Sequence, residues 1–112
     1  MIMNKKIKNI DHEKVIRIAE QVQVQEGQVV SRTLAQNSNV SITVFAFDKN
    51  EEISTHESKG DAMVTVLEGK GVFTVGDKKH TVSEGETLIM PAMVPHAVFA
   101  EEAMKMLLVV VF

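Results

Sequence analysis

The sequence predicts an all-β, single-domain fold, a closed antiparallel barrel or jelly roll. Three observations carry that expectation. Beyond about residue 28 the chain breaks into short apolar or alternating runs separated by turn residues. Residues 72–82 read as a tight hairpin, and no segment shows a long, convincing helical period. At 112 residues the chain has room for one domain. We divide it into an N-terminal extension, residues 1–27, packing on a barrel of residues 28–112.

The elements follow in order. Residues 11–22 are ambiguous: Val15, Ile18, Ala19 and Val22 suit a helical face behind an Asp11 cap, whereas Val15-Ile16-Arg17-Ile18 suits a strand. We favour the strand. Residues 40–48 alternate, with Val40, Ile42, Val44 and Ala46 on one face and Ser41, Thr43, Phe45 and Phe47 on the other. Neither face is fully polar, so both are expected to be covered, with Phe45 and Phe47 on the nominally outer side. Residues 62–67 (AMVTVL) form another strand, closed by Glu68-Gly69-Lys70-Gly71.

In the hairpin, Gly76-Asp77 is a two-residue loop joining 72–75 to 78–82. That register sets Phe73 opposite His80 and Val72 opposite Thr81, so His80 shares the inward face with Phe73, Val75 and Val82. Residues 87–90 and 96–100 are short strands on either side of a loop bracketed by Pro91 and Pro95. Residues 104–112 (MKMLLVVVF) end the chain as a nearly all-apolar strand, which as a free edge would template aggregation. It must be central or covered by a partner.

Composition narrows the function. Twelve basic and 15 acidic residues leave a net charge of −3, which argues against nucleic acid or an anionic membrane as partner. With no cysteine, disulfides, iron–sulfur sites and thiol catalysis are excluded. No apolar run approaches the ~20 residues of a membrane span, and no signal peptide is read, so the expected location is cytoplasmic. Neither a Gly-x-Ser-x-Gly elbow nor a phosphate-binding Gly-x-x-x-x-Gly-Lys-[Ser/Thr] loop is present. The acidic pairs Glu51-Glu52 and Glu101-Glu102 abut turns and read as solvated charge.

Histidine is the informative residue. His12 precedes the first element and reads as a surface residue. His56 and His96 each lie at the mouth of a strand, where two imidazoles distant in sequence can converge inside a barrel. As neutral nitrogen donors they suit Zn, Ni, Cu or Fe. The spacing then resembles the cupin superfamily. Its first motif, Gly-x5-His-x-His-x3,4-Glu-x6-Gly, runs here through Asn50, His56, Ser58, Ala62 and Gly69. The second, Gly-x5-Pro-x-Gly-x2-His-x3-Asn, runs through Gly85, Pro91, Met93, His96 and Ala100. Five of the ten positions are identical. Small bacterial single-domain cupins of no established activity are similar also at Ser31-Arg32-Thr33-Leu34 ahead of the barrel strands, Gly60-Asp61-Ala62, Met90-Pro91-Ala92, Pro95-His96-Ala97 and the Met-Leu-Leu-Val run ending at Val109.

The resemblance implies a cupin β-barrel and, in superfamily metal sites, ligands from both first-motif histidines, the Glu and the second-motif His. Ser58 and Ala62 stand where two of those four donors would be, so only His56 and His96 remain as metal ligands. Met93 for Gly and Ala100 for Asn should alter loop shape and pocket polarity, whereas Asn50 for Gly is tolerable because Asn accepts left-handed backbone. His80, Glu57 and Asp61 are the candidates to replace a lost donor; Glu57 and Asp61 have the wrong strand parity. Met63, Met90, Met93, Met104 and Met106 read as core filler rather than cavity lining.

The functional expectation is therefore a small-molecule pocket containing His56, Ser58, His80 and His96. A divalent metal (Zn, Ni, Fe, Mn or Cu) would be weak or substoichiometric. The alternatives are a metal-dependent dioxygenase or isomerase with a reduced histidine site, and a non-catalytic sensory or structural homodimer. A homodimer is expected in any case, because the terminal strand with Phe45 and Phe47 leaves much apolar surface, and resemblance to dimeric cupins implies the same.

Overall fold

β-branched and apolar runs dominate the chain after residue 28, and in the computed structural model, which describes residues 5–112, they pair into nine strands. In chain order these are β1 (Val29–Gln36), β2 (Val40–Phe47), β3 (Glu52–His56), β4 (Asp61–Glu68) and β5 (Lys70–Val75). They continue with β6 (Lys78–Ser83), β7 (Thr87–Met90), β8 (His96–Ala100) and β9 (Met104–Val111). Every pairing is antiparallel. Five strands form one sheet in the order β1-β2-β9-β4-β7, and four form the other in the order β3-β8-β5-β6.

The terminal strand is central, as its composition demands: β9 lies between β2 and β4 with both edges paired. The 72–82 hairpin has the expected register, Phe73 opposite His80 and Val72 opposite Thr81. Between the sheets, Phe47, Phe73, Met90, Met104 and Met106 are fully buried with Val64 and Val66. Met90, Met104 and Met106 are thus core filler as expected, whereas Met63 and Met93, expected in the core with them, are 40% and 60% exposed, Met63 on the outer side of β4 and Met93 in the loop after β7.

Three expectations are corrected. Phe45 and Phe47 do not lie on an outer face; both pack into the intersheet core, because β2 turns its Ser41–Phe47 face inward. The opposite face of β2, with Val44 and Ala46, forms a second buried cluster with Val22, Leu34, Ile10 and Ile18. Nor is 11–22 a strand. It is irregular apart from a 3₁₀ turn, Ile18–Gln21. Val15 stands fully exposed, so neither candidate periodicity is used. Residues 31–34 lie inside β1 rather than ahead of the barrel strands.

The N-terminal segment is a strap over one half of the five-stranded sheet's outer face. Lys8 N–H donates to Leu34 O at 2.7 Å and the Asn9 amide to Thr33 O at 2.7 Å, closing the β1 edge. Arg32 donates to Asn9 O at 3.2 Å. Lys105, nearly buried on β9, donates to Ala19 O at 2.8 Å and lies 3.7 Å from a Glu68 carboxylate oxygen. A buried ammonium needs such partners, since leaving it unpaired would cost several kcal/mol.

Gly69 shows why the β4–β5 corner is glycine. Its φ is +78°, and a Cβ there would collide with the Ala103 carbonyl. That corner carries the chain from one sheet to the other.

Candidate functional site

β3 and β8 are neighbours in the four-stranded sheet, and their register brings the two motif histidines together. Ile53 pairs with Val98 and packs on the core, facing inward. In a regular strand, His56, three residues on, would point the other way. The register shifts between Ile53 and His56, so that Ser54 and Thr55 together oppose the single residue Ala97. This bulge turns His56 onto the inward face, directly across from His96.

The ring centroids are 4.3 Å apart at an interplanar angle of 71°, an edge-to-face contact. His96 is 4% exposed, and His56 lies exposed at the rim. Each ring is held in the same way. His56 Nδ1 is 2.9 Å from Ser54 O and His96 Nδ1 is 3.1 Å from Val94 O. A carbonyl oxygen only accepts, so both Nδ1 atoms carry hydrogen, and in the neutral rings both Nε2 atoms present lone pairs. Burial lowers the His96 pKa from its ordinary 6.5; the Val94 hydrogen bond opposes this, and the charge of His56 adds to it. At neutral pH His96 is therefore an acceptor at Nε2.

Ser58 lies beside the pair in sequence, but its groups hold loops. Its hydroxyl accepts from Gly60 N–H at 3.2 Å, and its carbonyl accepts from Met93 N–H at 2.8 Å. It thereby ties the 57–60 loop to the Pro91–Pro95 loop. Asp61 does similar work, accepting from Ala92 N–H at 2.8 Å from the outer side of β4. His80 faces inward opposite Phe73, half-buried as expected. It sits on β6, two strands and one pair along from His96, roughly 12 Å between Cα atoms. Ala62 is buried against Met90 and Val110, an apolar position where the superfamily has its carboxylate.

Met93 has φ +67°, the left-handed conformation that glycine would adopt at this motif position, and Asn50 has φ +72° at the other. Met93 thus holds, without glycine, a backbone conformation that a glycine adopts without strain. Sequence reasoning also missed the Ser54 and Val94 carbonyls that orient the rings, and Val75 and Lys78, which share a row with the two histidines. Main-chain contacts have no signature in composition, but the shared pattern of a carbonyl two residues before each histidine was readable once strands were assigned.

Volume does not mark this site. A groove of about 380 Å³ lies on the outer face of the five-stranded sheet against Ile10, Ile18, Leu34 and Leu107. A second hollow of about 330 Å³ lies outside the four-stranded sheet against Val72, Thr74 and Phe99. The larger groove is mostly aliphatic with Asp11 and His12 also lining it, the second is lined also by Glu52 and Lys79, and neither includes His56 or His96.

The chain belongs to the cupin family: the Cupin domain model matches residues 43–112. It is similar to a conserved protein of unknown function from Streptococcus pyogenes, 47% identical, with TM-score 0.95 over 96% of this chain and 95% of that one. A cupin superfamily protein from Desulfitobacterium hafniense is 31% identical, with TM-score 0.91 over 96% and 99% of the two chains. A Cupin 2 conserved barrel domain protein from Leptotrichia buccalis is 45% identical, with TM-score 0.83 over 84% of this chain and 46% of that one. The curated proteins contain no match.

The donor set does not fit the resident metal that the fold family implies. Among the described residues no group of three or more His, Cys, Asp or Glu side chains is placed to hold a metal ion. Two neutral imidazoles supply no negative charge, and catalytic zinc sites keep three protein ligands. No helix among the described residues is long and apolar enough to cross a membrane.

Proposed function

We propose that this cupin binds a small molecule at its barrel mouth through the paired Nε2 atoms of His56 and His96. The tautomer lock on both rings carries the reading: each Nδ1–H is spent on the carbonyl two residues earlier, leaving two adjacent acceptors. Such a pair suits a ligand with neighbouring hydroxyl or amine donors. Ser58 frames the site by fastening its two loops, and His80 belongs to the inner wall rather than to the ligand contacts. A divalent cation would be held by two nitrogens, completed by water or ligand, and so would exchange readily. No reaction is assigned, and the setting we infer is cytoplasmic.

The test is a screen of small polyols and amino alcohols by protein-observed NMR. Shifts clustering at His56, His96 and the Pro91–Pro95 loop, and absent in His56→Ala and His96→Ala, support the reading. Shifts confined to the aliphatic groove beside Leu107 contradict it.

A further inference from the structure

The four-stranded sheet buries one face against the core, so its outer face should alternate to polar residues. It does so only at its two edges. β8 turns His96, Val98 and Ala100 inward and Ala97 and Phe99 outward, and β5 turns Val72 and Thr74 outward beside them. The register sets Glu52, Phe99 and Val72 in one row across β3, β8 and β5. The next row holds Ala97, Thr74 and Lys79 across β8, β5 and β6. These six residues line the 330 Å³ hollow, a volume within the range of small-ligand pockets. Its floor is apolar, with the Phe99 ring 38% exposed, and one charge of each sign stands at its rim. Glu52 and Lys79 are both exposed, and neither takes part in an ion pair among the described residues.

We infer that this hollow is a second small-ligand site, for an elongated zwitterion whose amine and carboxylate are separated by an apolar chain or ring. Each end has two partners supplied by the register. Glu52 is the direct cross-strand neighbour of Phe99, so an ammonium held by the carboxylate also meets the ring, and cation–π attraction adds to the ion pair. Lys79 is the direct neighbour of Thr74, so a carboxylate on the ammonium has the hydroxyl as a further donor. Val72 and Ala97 lie between and take the apolar spacer, whose burial removes surface that is otherwise wet. The span sets the ligand's length. Three strand spacings and one two-residue step put the Cα atoms of Glu52 and Lys79 roughly 16 Å apart. With both side chains reaching over the floor, a spacer of about five or six carbons bridges the remaining gap. An α-amino acid, with both charges on one carbon, does not. His56 and His96 line no part of this hollow, so it stands or falls separately from the barrel mouth.

Protein-observed NMR titration of the full chain with ε-aminohexanoate and with para-(aminomethyl)benzoate tests the site, with hexanoate and hexylamine as one-charge controls. Saturable shifts are expected at Val72, Thr74, Ala97 and Phe99. Glu52→Gln and Lys79→Gln, both at exposed positions where folding is not at stake, should each weaken binding about two- to fivefold, the scale of one exposed ion pair. The one-charge controls should bind more weakly than the zwitterions by a similar factor. Lys79→Arg should retain binding, and His56→Ala should leave it unchanged. Absence of saturable shifts on this face overturns the inference. So does affinity undiminished in Glu52→Gln or Lys79→Gln, or a control that binds as well as the zwitterions. Shifts that vanish in His56→Ala overturn it too, and assign the zwitterion to the barrel mouth instead.

Discussion

His56 stands across from His96 because Ser54 and Thr55 together occupy the place of one residue opposite Ala97. One extra residue on an edge strand thus decides whether the chain has a paired site. Deleting Thr55 should return β3 to regular alternation and turn His56 to the outer face. β3 is an edge strand with most of its residues exposed, so the barrel should stay folded. Cu²⁺ or Ni²⁺ titration should then lose binding at least tenfold, matching His56→Ala. Unchanged affinity in the deletion would show that the bulge does not aim the ring.

Metal content follows from counting donors. Purified protein should carry well under one equivalent of metal and lose it on dialysis, as read by elemental analysis. Ser58→His with Ala62→Glu introduces donors at the superfamily's ligand spacing and should raise retention toward one equivalent. His80→Ala should change nothing, since β6 lies two strands from β8. Stoichiometric metal surviving exhaustive dialysis of the wild type would overturn this account of the donor set.

The pH dependence has a definite sign. His96 binds its proton less readily in the folded protein than in the unfolded chain, because burial opposes the charge. Its contribution to stability is complete above pH 6.5, the unfolded value, and is lost as pH falls through the lower folded value. Denaturant midpoints should therefore drop as pH falls below 6.5, and His96→Gln should flatten part of that slope. An identical slope in the variant would locate the effect elsewhere.

Met93 holds a left-handed backbone with its side chain largely in solvent. Met93→Gly removes a strain of ~1–2 kcal/mol and adds unfolded-chain entropy of about half that. A net gain of about 0.5–1 kcal/mol is expected in urea unfolding. A loss would mean that the side chain contributes packing that outweighs the strain.

Much of the fold was legible because strand signals are local. Gly76-Asp77 set the hairpin register, and the uninterrupted apolar run from Met106 required β9 to be central. The strap was not legible in this way. Its path is held by Lys8 and Asn9, which donate to Leu34 O and Thr33 O, and by Ala19, whose carbonyl accepts from Lys105, partners distant in sequence, so residues 11–22 show no period of their own. The same gap misplaced Phe45 and Phe47, since alternation shows that two faces exist but not which one meets the opposite sheet. At the site, spacing found His56 and His96; the bulge and the two carbonyls that orient the rings needed tertiary structure.

The central claim is that both rings keep hydrogen on Nδ1 and leave Nε2 as an acceptor. Long-range ¹H–¹⁵N correlation of the histidine side chains at pH 7.5 measures this directly. The account predicts the Nδ1–H tautomer for both His56 and His96, whereas His12, whose Nε2 lies 2.7 Å from Ile7 O, should show Nε2–H. A dominant Nε2–H tautomer at either His56 or His96 would contradict it.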